Sequence, residues 1–522
     1  MNVAELLDRQ ALETPHAPAI VETRGGGKTI TFGQLRERAA QGAALLRELG
    51  IRPNDGVLIV HPMQTPLYVA LTAVLRIGAV AMFIDPSADT RILDACCALQ
   101  RPVAYFSSPL GQLLRFRSRA VRAIGLNICS GAMPGAIPWH RLLGMTPSPS
   151  AFAVAPDTPA LMTFTSGSTG LPKGAVRSHA VLLAQLAALR EAMKLETGAV
   201  DLTTLPIVLL ANLACGVTSV ISDVDLRRPG RIDGARAFED AAERSVSSAT
   251  ASPAFFSRML SYASAAQKTL PKIGKVFCGG APVFPHLLDE LQYLAPQADP
   301  CAVYGSTEAE PIAHCKRSDV TAADREAMRN GAGLLAGIPV RSVRLRIIAE
   351  RFGQPIPQLD EESFARMTLP SPEAGEIVVS GDHVVPGYLS GHGDAETKFK
   401  VGRAVWHRTG DLGYLDTIGR LWLLGRSGTR IDRDGQSLFP FCVETAASDI
   451  AGVLRSALVS INGRTILAVQ PTLAGTGALR GELSARLGWA HIDAIRFLKR
   501  VPVDRRHNAK VDYPALHRLL AR

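Results

Sequence analysis

Short apolar segments alternate with helical segments through most of the chain, and this alternation restricts the fold more than any other feature. A helical pattern begins after Thr31 and ends at Gly50, and apolar strand-like runs at 57–61 and 79–84 flank a helix predicted over 66–77. Thr31 suits the N-cap and Gly50 the end of the first helix. Short links between such elements require parallel strands joined by crossover helices. We therefore predict an α/β fold with mostly parallel sheets.

The same alternation returns after residue 159. It predicts strands over 160–164, 217–221 and 275–278, separated by helices over 180–195 and 235–245. From about Gly375 the pattern changes to short strands with turn residues, among them 376–380 and 420–424. This change predicts a β-rich subdomain that closes a large N-terminal domain.

The chain has 522 residues, which is more than one hydrophobic core usually serves. The segment Gly425-Arg426-Ser427-Gly428 has glycines where a hinge needs free backbone torsions. Beyond it lie roughly a hundred residues, enough for a small α+β domain. We predict a large domain over 1–425 and a small, mobile C-terminal domain over 426–522.

A loop rich in glycine and hydroxyl residues follows the strand predicted over 160–164. Its sequence is Thr163-Phe-Thr-Ser-Gly-Ser-Thr-Gly-Leu-Pro-Lys-Gly174. Glycines let backbone N–H groups converge on phosphate oxygens, while hydroxyls add donors and a lysine adds positive charge. The lysine precedes a glycine instead of a magnesium-binding Ser or Thr, so this is not a Walker A loop. The candidate phosphate-binding residues are Thr165, Ser166, Gly167, Ser168, Thr169, Gly170 and Lys173.

This loop resembles the signature of the adenylate-forming superfamily, which includes acyl-CoA synthetases, peptide-synthetase adenylation domains and luciferases. Further segments resemble the superfamily's motifs in the expected order, from about Thr31 to Leu519. The resemblance implies an enzyme that uses ATP and magnesium to activate a carboxylic acid as its acyl-AMP, with release of pyrophosphate.

Two of these motifs imply contacts with the nucleotide. Gly279-Gly-Ala-Pro282 resembles the loop on the adenine side, where small residues let the purine approach. Tyr304-Gly-Ser-Thr-Glu308 resembles the following motif, whose aromatic ring packs on adenine. The implied positions are Gly280, Ala281, Pro282 and Tyr304 at the adenine, Thr307 at the α-phosphate, and Glu308 as the magnesium ligand.

Two further motifs imply the ribose site and a catalytic cation. Trp406-His-Arg-Thr-Gly-Asp411 is similar to the ribose motif, in which Asp411 would accept hydrogen bonds from both ribose hydroxyls and Arg426 would add a nucleotide contact. Arg506-His-Asn-Ala-Lys510 occupies the place of the catalytic lysine. A cation there would neutralise charge as the carboxylate attacks the α-phosphate. The resemblance thus implies Lys510, Glu308 and Thr307 as catalytic residues.

Some positions depart from the thioester-forming members of the superfamily. Gly435, Pro440 and Glu444 fall on the segment that helps build their pantetheine tunnel. However, Gly428 stands at the usual charged hinge and Asp432 replaces a lysine. These departures weigh against a standard CoA ligase.

Three segments instead resemble the β-lactone synthetases of olefin and lipid-lactone pathways: 506–510, 429–432 and the apolar run 205–212. Those relatives adenylate a 3-hydroxy acid, and its own hydroxyl then displaces AMP, which is favoured because both groups share one molecule. We expect an aliphatic or 3-hydroxy fatty acid and favour ring closure. Transfer to CoA or an acyl carrier protein stays open. The run 205–212 would line an apolar pocket, or residues 208–213 belong to the core.

Composition bears on the rival functions. The net charge of +10 suits an anionic ligand such as ATP, nucleic acid or a membrane surface, but the chain has no basic run of five or six residues, which nucleic-acid binding would favour. We therefore expect no nucleic acid partner. A non-catalytic nucleotide sensor would not need Glu308, Asp411 and Lys510 together. Pyrophosphate release that depends on a carboxylic acid would distinguish an adenylating enzyme from such a sensor.

The location follows from three sequence features. No signal peptide opens the chain, and the long apolar stretch 66–85 contains Arg76 and Gly78, so we expect no membrane span. The eight cysteines lack metal-ligand spacing, which indicates reduced thiols. We expect a cytoplasmic protein.

Overall fold

The computed structural model describes residues 1–84, 89–166, 172–351, 353–433, 436–472, 476–503 and 510–521. Within these ranges the first helices are α1 (Ala4–Glu13), α2 (Phe32–Glu48), α3 (Thr65–Arg76), α4 (Thr90–Leu99), α5 (Pro109–Gln112), α6 (Leu114–Arg117), α7 (Arg119–Arg122), α8 (His179–Met193) and α9 (Pro206–Ala214). The later helices are α10 (Gly234–Glu243), α11 (Pro253–Ala266), α12 (Pro285–Leu294), α13 (Ala322–Arg329), α14 (Glu361–Met367), α15 (Asp394–Thr397), α16 (Pro440–Ser448), α17 (Thr476–Arg486) and α18 (Tyr513–Leu520).

The strands of the first half are β1 (Pro18–Glu22), β2 (Lys28–Thr31), β3 (Gly56–Val60), β4 (Val80–Phe83), β5 (Ala104–Ser107), β6 (Leu126–Cys129), β7 (Ile137–Pro138), β8 (Pro159–Ser166), β9 (Pro172–Ser178), β10 (Val200–Thr203), β11 (Thr218–Ile221), β12 (Ser248–Ala251) and β13 (Lys275–Gly279). Those of the second half are β14 (Cys301–Ser306), β15 (Ala309–Lys316), β16 (Leu334–Pro339), β17 (Arg344–Ile348), β18 (Gly375–Ser380), β19 (Lys398–Val401), β20 (Ala404–Leu415), β21 (Leu421–Arg426), β22 (Ile431–Arg433), β23 (Gln436–Leu438), β24 (Val453–Ile461), β25 (Arg464–Pro471) and β26 (Ala494–Phe497). Short 3₁₀ helices span Arg24–Gly26, Trp139–Gly144, Pro229–Arg231, Arg317–Asp319, Leu389–Gly391 and Gly488–Ala490.

One sheet has the order β7-β6-β5-β3-β4-β8-β9 and is parallel except for the β8–β9 hairpin. The predicted alternation at the start of the chain is confirmed here. Thr31 and Gln34 form a capping box at α2, since each side chain accepts a hydrogen bond from the other's backbone N–H. Helices α2 and α3 pack together in the largest core cluster.

The larger sheet has the order β17-β18-β20-β21-β16-β15-β14-β13-β12-β10-β11-β1-β2, with β19 beside β20. Its pairings from β14 to β1 are parallel, and its outer pairings are antiparallel. The β-rich region predicted from Gly375 therefore begins earlier, at β16. Strand β17 has exposed Arg344 and Arg346 alternating with buried residues, so it lacks a continuous apolar run.

The segment after β21 forms sheets of its own. Strands β22 and β23 make a hairpin, and β24, β25 and β26 make a sheet that packs with α16 and α17 around Val443, Leu458 and Leu483. This unit contacts the rest of the chain through an Arg329–Asp449 ion pair of 2.6 Å and a 3.2 Å hydrogen bond from the Trp489 indole to the Arg329 carbonyl. The last strand of the larger sheet along the chain, β21, ends at Arg426, next to the domain border predicted between residues 425 and 426. The division into a large domain and a mobile C-terminal domain stays a prediction.

Three sequence expectations concern burial. Residues 208–213 lie in α9 and are all buried. The apolar ones belong to the largest core cluster and Asn212 donates to the buried Asp201 and Ser219 side chains, so this stretch belongs to the core. All eight cysteines are buried with free thiols. Among the helices in the described ranges, none is both long and apolar enough to cross a membrane.

Candidate active site

The predicted adenine residues lie at the carboxyl ends of neighbouring parallel strands. Gly279 pairs with Val303 across β13 and β14, so Gly280 and Tyr304, which follow them, lie side by side. Gly280 has a positive φ of 82° and open space where a Cβ would be. Ala281 and Pro282 continue the loop and are half-buried. Such an edge of a parallel sheet is where α/β folds bind ligands.

Asp411 joins the predicted adenine and ribose residues. It lies opposite Arg426 in the β20–β21 ladder, and Arg426 Nη1 donates to Asp411 Oδ1 over 2.9 Å. The Tyr304 hydroxyl donates to Asp411 Oδ2 over 2.6 Å. Burial, together with the Asp411 charge, raises the pKa of Tyr304, so the phenol stays a donor. Each carboxylate oxygen keeps lone-pair capacity for a ribose hydroxyl.

A buried ion pair supports this ribose motif. Arg408 and Glu376 form two parallel hydrogen bonds, 2.9 Å to Oε1 and 2.7 Å to Oε2, with both side chains at most 3% exposed. Arg408 Nη1 also donates to the Gln354 carbonyl over 2.6 Å. This arginine therefore fixes β20 against β18 and leaves ligand binding to its neighbours.

Glu308 lies in the turn between β14 and β15 and is held from two sides. The Tyr388 hydroxyl donates to Glu308 Oε1 over 2.7 Å, and the Val385 N–H donates to the Glu308 carbonyl over 2.8 Å. Burial alone would raise the pKa of Glu308, but His407, the Tyr388 hydrogen bond and Lys398 outweigh it and lower the pKa. Glu308 is therefore ionised and suited to bind a metal cation.

Two buried lysines surround the same tyrosine ring. Lys173 Nζ lies 5.5 Å and Lys398 Nζ 5.4 Å from the centre of the Tyr388 ring. Lys398 also donates to the Val385 carbonyl. Burial lowers the pKa of Lys398 to about 8. Positive charge of this kind beside Glu308 suits a polyphosphate with its metal ion.

Arg177 connects the predicted phosphate loop to the 304–308 turn. It is buried on β9, its Nη1 donates to Thr163 Oγ1 over 3.0 Å, and its Nη2 donates to the Thr307 carbonyl. Thr307 is therefore positioned through its backbone.

The tip of the phosphate loop is only partly described. Thr165 pairs with Lys173 and Ser166 with Pro172 in the β8–β9 ladder. Gly167, Ser168, Thr169 and Gly170 lie outside the described residues. The hairpin therefore brings Lys173 to the Tyr388 ring, and the backbone contacts predicted for its tip remain predictions.

The chain matches the family model "AMP-binding enzyme" over residues 7–389, well over half its length. The chain belongs to the AMP-binding enzyme family. Two olefin β-lactone synthetases are similar along nearly the whole length. One, from Stenotrophomonas maltophilia, is 32% identical with 98% of this chain and 96% of the relative covered. The other, from Xanthomonas campestris pv. campestris, is 33% identical with the same coverage.

A solved structure supports the two-unit fold of this AMP-binding enzyme. An anthranilate CoA ligase in complex with anthranoyl-AMP superposes with a TM-score of 0.82 at 16% identity, over 100% of this chain and 98% of that one. At this identity the likeness concerns the fold alone. Members of the family use ATP, and this chain is accordingly an adenylate-forming enzyme.

Lys510 of this AMP-binding enzyme lies in the C-terminal unit and is exposed. The next residue, Val511, forms a bridge with Val503, and the Tyr513 hydroxyl donates to the buried Glu444 Oε1 over 2.6 Å. Residues 504–509, including Arg506, lie outside the described residues. The lysine is therefore presented from an anchored segment, and its catalytic role stays a prediction.

The candidate magnesium site of this enzyme contains one carboxylate. Within the part of the chain that the structure describes, no three His, Cys, Asp or Glu side chains group as a metal site. Magnesium in nucleotide enzymes is commonly held by one or two carboxylates plus substrate phosphates. An anionic Glu308 beside buried lysines fits that arrangement.

Sequence reasoning missed several residues of the site: Arg177, Tyr388, Lys398 and His407. Tyr388 follows Pro386-Gly387, a turn signal that could have drawn attention to it. Lys398 and Arg177 carry no local signal, because a cation in a short strand usually faces solvent. Only tertiary structure brings them to Glu308 and Thr307.

Proposed function

We propose that this enzyme adenylates a 3-hydroxy fatty acid with ATP and then closes the acyl-AMP to a β-lactone. The observation that carries the first step is the Tyr304–Asp411–Arg426 contact set, which the 304–308 turn links to Glu308. The hydrogen-bond partner of Glu308, Tyr388, has Lys173 beside its ring. The second step rests on the 32–33% identity to olefin β-lactone synthetases over nearly the full length.

In this proposal the nucleoside is held at the carboxyl edge of the larger sheet. Adenine packs against Tyr304 beside Gly280, Ala281 and Pro282. Asp411 accepts hydrogen bonds from the ribose hydroxyls, and Arg426 orients its carboxylate. The Asp411 carboxylate already has two hydrogen-bond donors that orient it, so ribose binding loses little side-chain entropy.

The phosphates extend from there toward the phosphate loop. Backbone N–H groups of 165–170 and the Lys173 ammonium bind phosphate oxygens, and Thr307 meets the α-phosphate. Glu308 would hold magnesium, which when bound offsets the charge of the phosphate chain. Lys398 adds positive charge to the same region.

Adenylation needs the substrate carboxylate to attack the α-phosphorus while pyrophosphate leaves. Two anions approach each other in this step, so positive charge placed between them lowers the barrier. We assign that role to Lys510, which the C-terminal unit would deliver by rotation near Gly428. Gly428 has a φ of 78°, a conformation that favours glycine.

Ring closure follows in the same molecule. The 3-hydroxyl oxygen attacks the acyl carbon, the bond to the AMP oxygen breaks, the hydroxyl proton passes to solvent, and AMP leaves. No thiol acceptor is needed, which agrees with the changed residues Gly428 and Asp432 in the segment that thioester-forming members use. Transfer to CoA or a carrier protein is the alternative that the test must separate.

The test uses a matched pair of fatty acids, one 3-hydroxylated and one plain, with ATP and magnesium, with and without CoA. Mass spectrometry identifies the products. We expect a β-lactone from the hydroxylated acid without CoA, and acyl-AMP without lactone from the plain acid. Acyl-CoA from both acids would instead identify a CoA ligase, and absence of pyrophosphate with any acid would contradict adenylation.

A further inference from the structure

A surface segment unrelated to the nucleotide site exposes three large apolar side chains. Leu110, Leu113 and Phe116 are 73%, 47% and 68% exposed. They recur every third residue, with Leu110 on α5, Leu113 between the two short helices and Phe116 on α6. Exposed apolar groups scattered singly are ordinary, but a cluster of this kind marks an interaction surface.

The same segment is strongly basic. Arg115, Arg117, Arg119 and Arg122 fall within residues 108–123, a stretch without Asp or Glu. Asp94 on α4 accepts from the Ser118 hydroxyl and the Ala120 N–H, and Asp89, the N-cap of α4, pairs with Arg91. The segment therefore carries four arginine charges, offset in part by the neighbouring Asp94 carboxylate.

Two of the arginines hold the segment in shape while two project. Arg115 Nη1 donates to the Gly135 carbonyl over 3.2 Å, and Arg122 Nη2 donates to the Phe116 carbonyl over 3.0 Å. Arg117 and Arg119 are exposed on either side of the buried Ser118. Phe116 is thus presented on a fixed backbone between basic side chains.

The segment lies at the edge of the smaller sheet where substrate activation is expected. It follows β5, and β5 is separated from β8 by three parallel pairings, β5–β3, β3–β4 and β4–β8. Three strand spacings correspond to about 14 Å. Strand β8 leads directly into the phosphate loop, so both features leave the sheet at its carboxyl edge.

We propose that the segment 108–123 docks this enzyme onto an anionic membrane surface. Apolar side chains insert among the acyl chains at the interface while neighbouring arginines pair with lipid phosphates, the arrangement by which peripheral helices bind bilayers. Charge complementarity selects this occupant, since four arginines with no acid between them suit an anionic lipid surface. Docking there would place the adenylation edge near a membrane-dissolved fatty acid, a consequence that rests on the proposed function, whereas the docking does not.

The experiment is co-sedimentation of the full-length protein with vesicles, without substrate. Vesicles contain equal parts of phosphatidylglycerol and phosphatidylcholine, or phosphatidylcholine alone. We expect binding to the anionic vesicles that weakens with added salt. The L110S/F116S double variant should bind about tenfold more weakly or worse. The R117Q/R119Q double variant should bind about thirtyfold more weakly.

Matched controls change similar residues elsewhere on the surface. Ile418 and Leu454 are 75% and 58% exposed, and the I418S/L454S variant should bind like wild type. The R341Q/R403Q variant removes the same charge from other exposed positions and should lose far less than R117Q/R119Q. Thermal melting and pyrophosphate release with a short, soluble acid should be unchanged in all four variants.

Two results would overturn the proposal. One is equal or absent binding to anionic vesicles for wild type and both segment variants. The other is a concentration-dependent dimer, seen by sedimentation velocity, that L110S/F116S abolishes while vesicle binding is absent. The segment would then be a contact between protein copies. Either result would leave the adenylation chemistry standing, because that is measured separately by pyrophosphate release.

Discussion

Around Asp411, the half-buried Tyr304 and the exposed Arg426 both donate hydrogen bonds to one half-buried carboxylate, whereas Lys510 is exposed on the C-terminal unit, in a segment held by the Tyr513–Glu444 hydrogen bond. The two regions would meet in one reaction. A nucleotide site gains from rigid, oriented groups because binding then orders little else. A cation needed in only one of two steps gains from being movable. Substitutions at the nucleotide site should therefore change stability or ATP binding, whereas substitution of Lys510 should change the rate of adenylation.

The largest effect on stability is expected beneath the ribose motif. Glu376→Gln removes the charge partner of the buried Arg408 and should lower the free energy of unfolding by about 3–5 kcal/mol. Denaturant unfolding measures this loss. The exposed carboxylate Glu362, paired with Arg366 on α14, provides the control, and E362Q should change stability by less than about 1 kcal/mol. If E376Q and E362Q lowered the free energy of unfolding equally, the Arg408–Glu376 pair would not be what holds the ribose motif in place.

The largest effect on rate is expected from Lys510. Lys510→Ala should lower acyl-AMP formation by about a hundredfold to a thousandfold, because charge on the α-phosphate is no longer offset. Its melting temperature should match wild type, since the side chain is exposed. Lys499→Ala, another exposed lysine of the same unit, should retain full activity. A fully active K510A enzyme would show that Lys510 is not the catalytic cation.

Glu444 tests how the Lys510 segment is anchored. Burial raises the pKa of Glu444 to about 7, against the opposing hydrogen bonds from Tyr513 and the Leu458 N–H. The folded state therefore retains a proton that the unfolded chain releases near 4.5, so stability falls as pH rises from about 4.5 to 7, by up to about 3 kcal/mol. Glu444→Gln should remove this part of the pH dependence and be more stable than wild type at pH 8, measured by unfolding at pH 5 and 8. A pH-independent difference would contradict this.

Asp411 should show the smallest effect and the clearest separation of binding from catalysis. Asp411→Asn keeps the shape but weakens the acceptors for Tyr304, Arg426 and the ribose, so KM for ATP should rise about tenfold to a hundredfold. kcat should change much less, because these contacts exist before and during the reaction. Steady-state kinetics with varied ATP measures the split. A loss confined to kcat would show that Asp411 acts in the chemical step and not in ATP binding.

The sequence predicted the parallel sheets because helix and strand patterns alternate with short links and clear caps, as at Thr31. It was less successful where strands are half exposed, as in β17, since exposed arginines interrupt the apolar pattern. Tyr304, Asp411 and Glu308 could be predicted because each belongs to a recognisable motif. Arg177 and Lys398 could not, because their meaning depends on strands distant in sequence that meet only in the folded chain.

The most direct test of the account follows oxygen atoms. A 3-hydroxy fatty acid with both carboxylate oxygens replaced by ¹⁸O is incubated with ATP and magnesium, and AMP and lactone are analysed by mass spectrometry. If the carboxylate is adenylated and the hydroxyl then displaces AMP, the AMP carries one heavy oxygen and the lactone keeps one. Unlabelled AMP with a lactone that keeps both heavy oxygens would show that the hydroxyl is the activated group, and it would contradict the proposed mechanism.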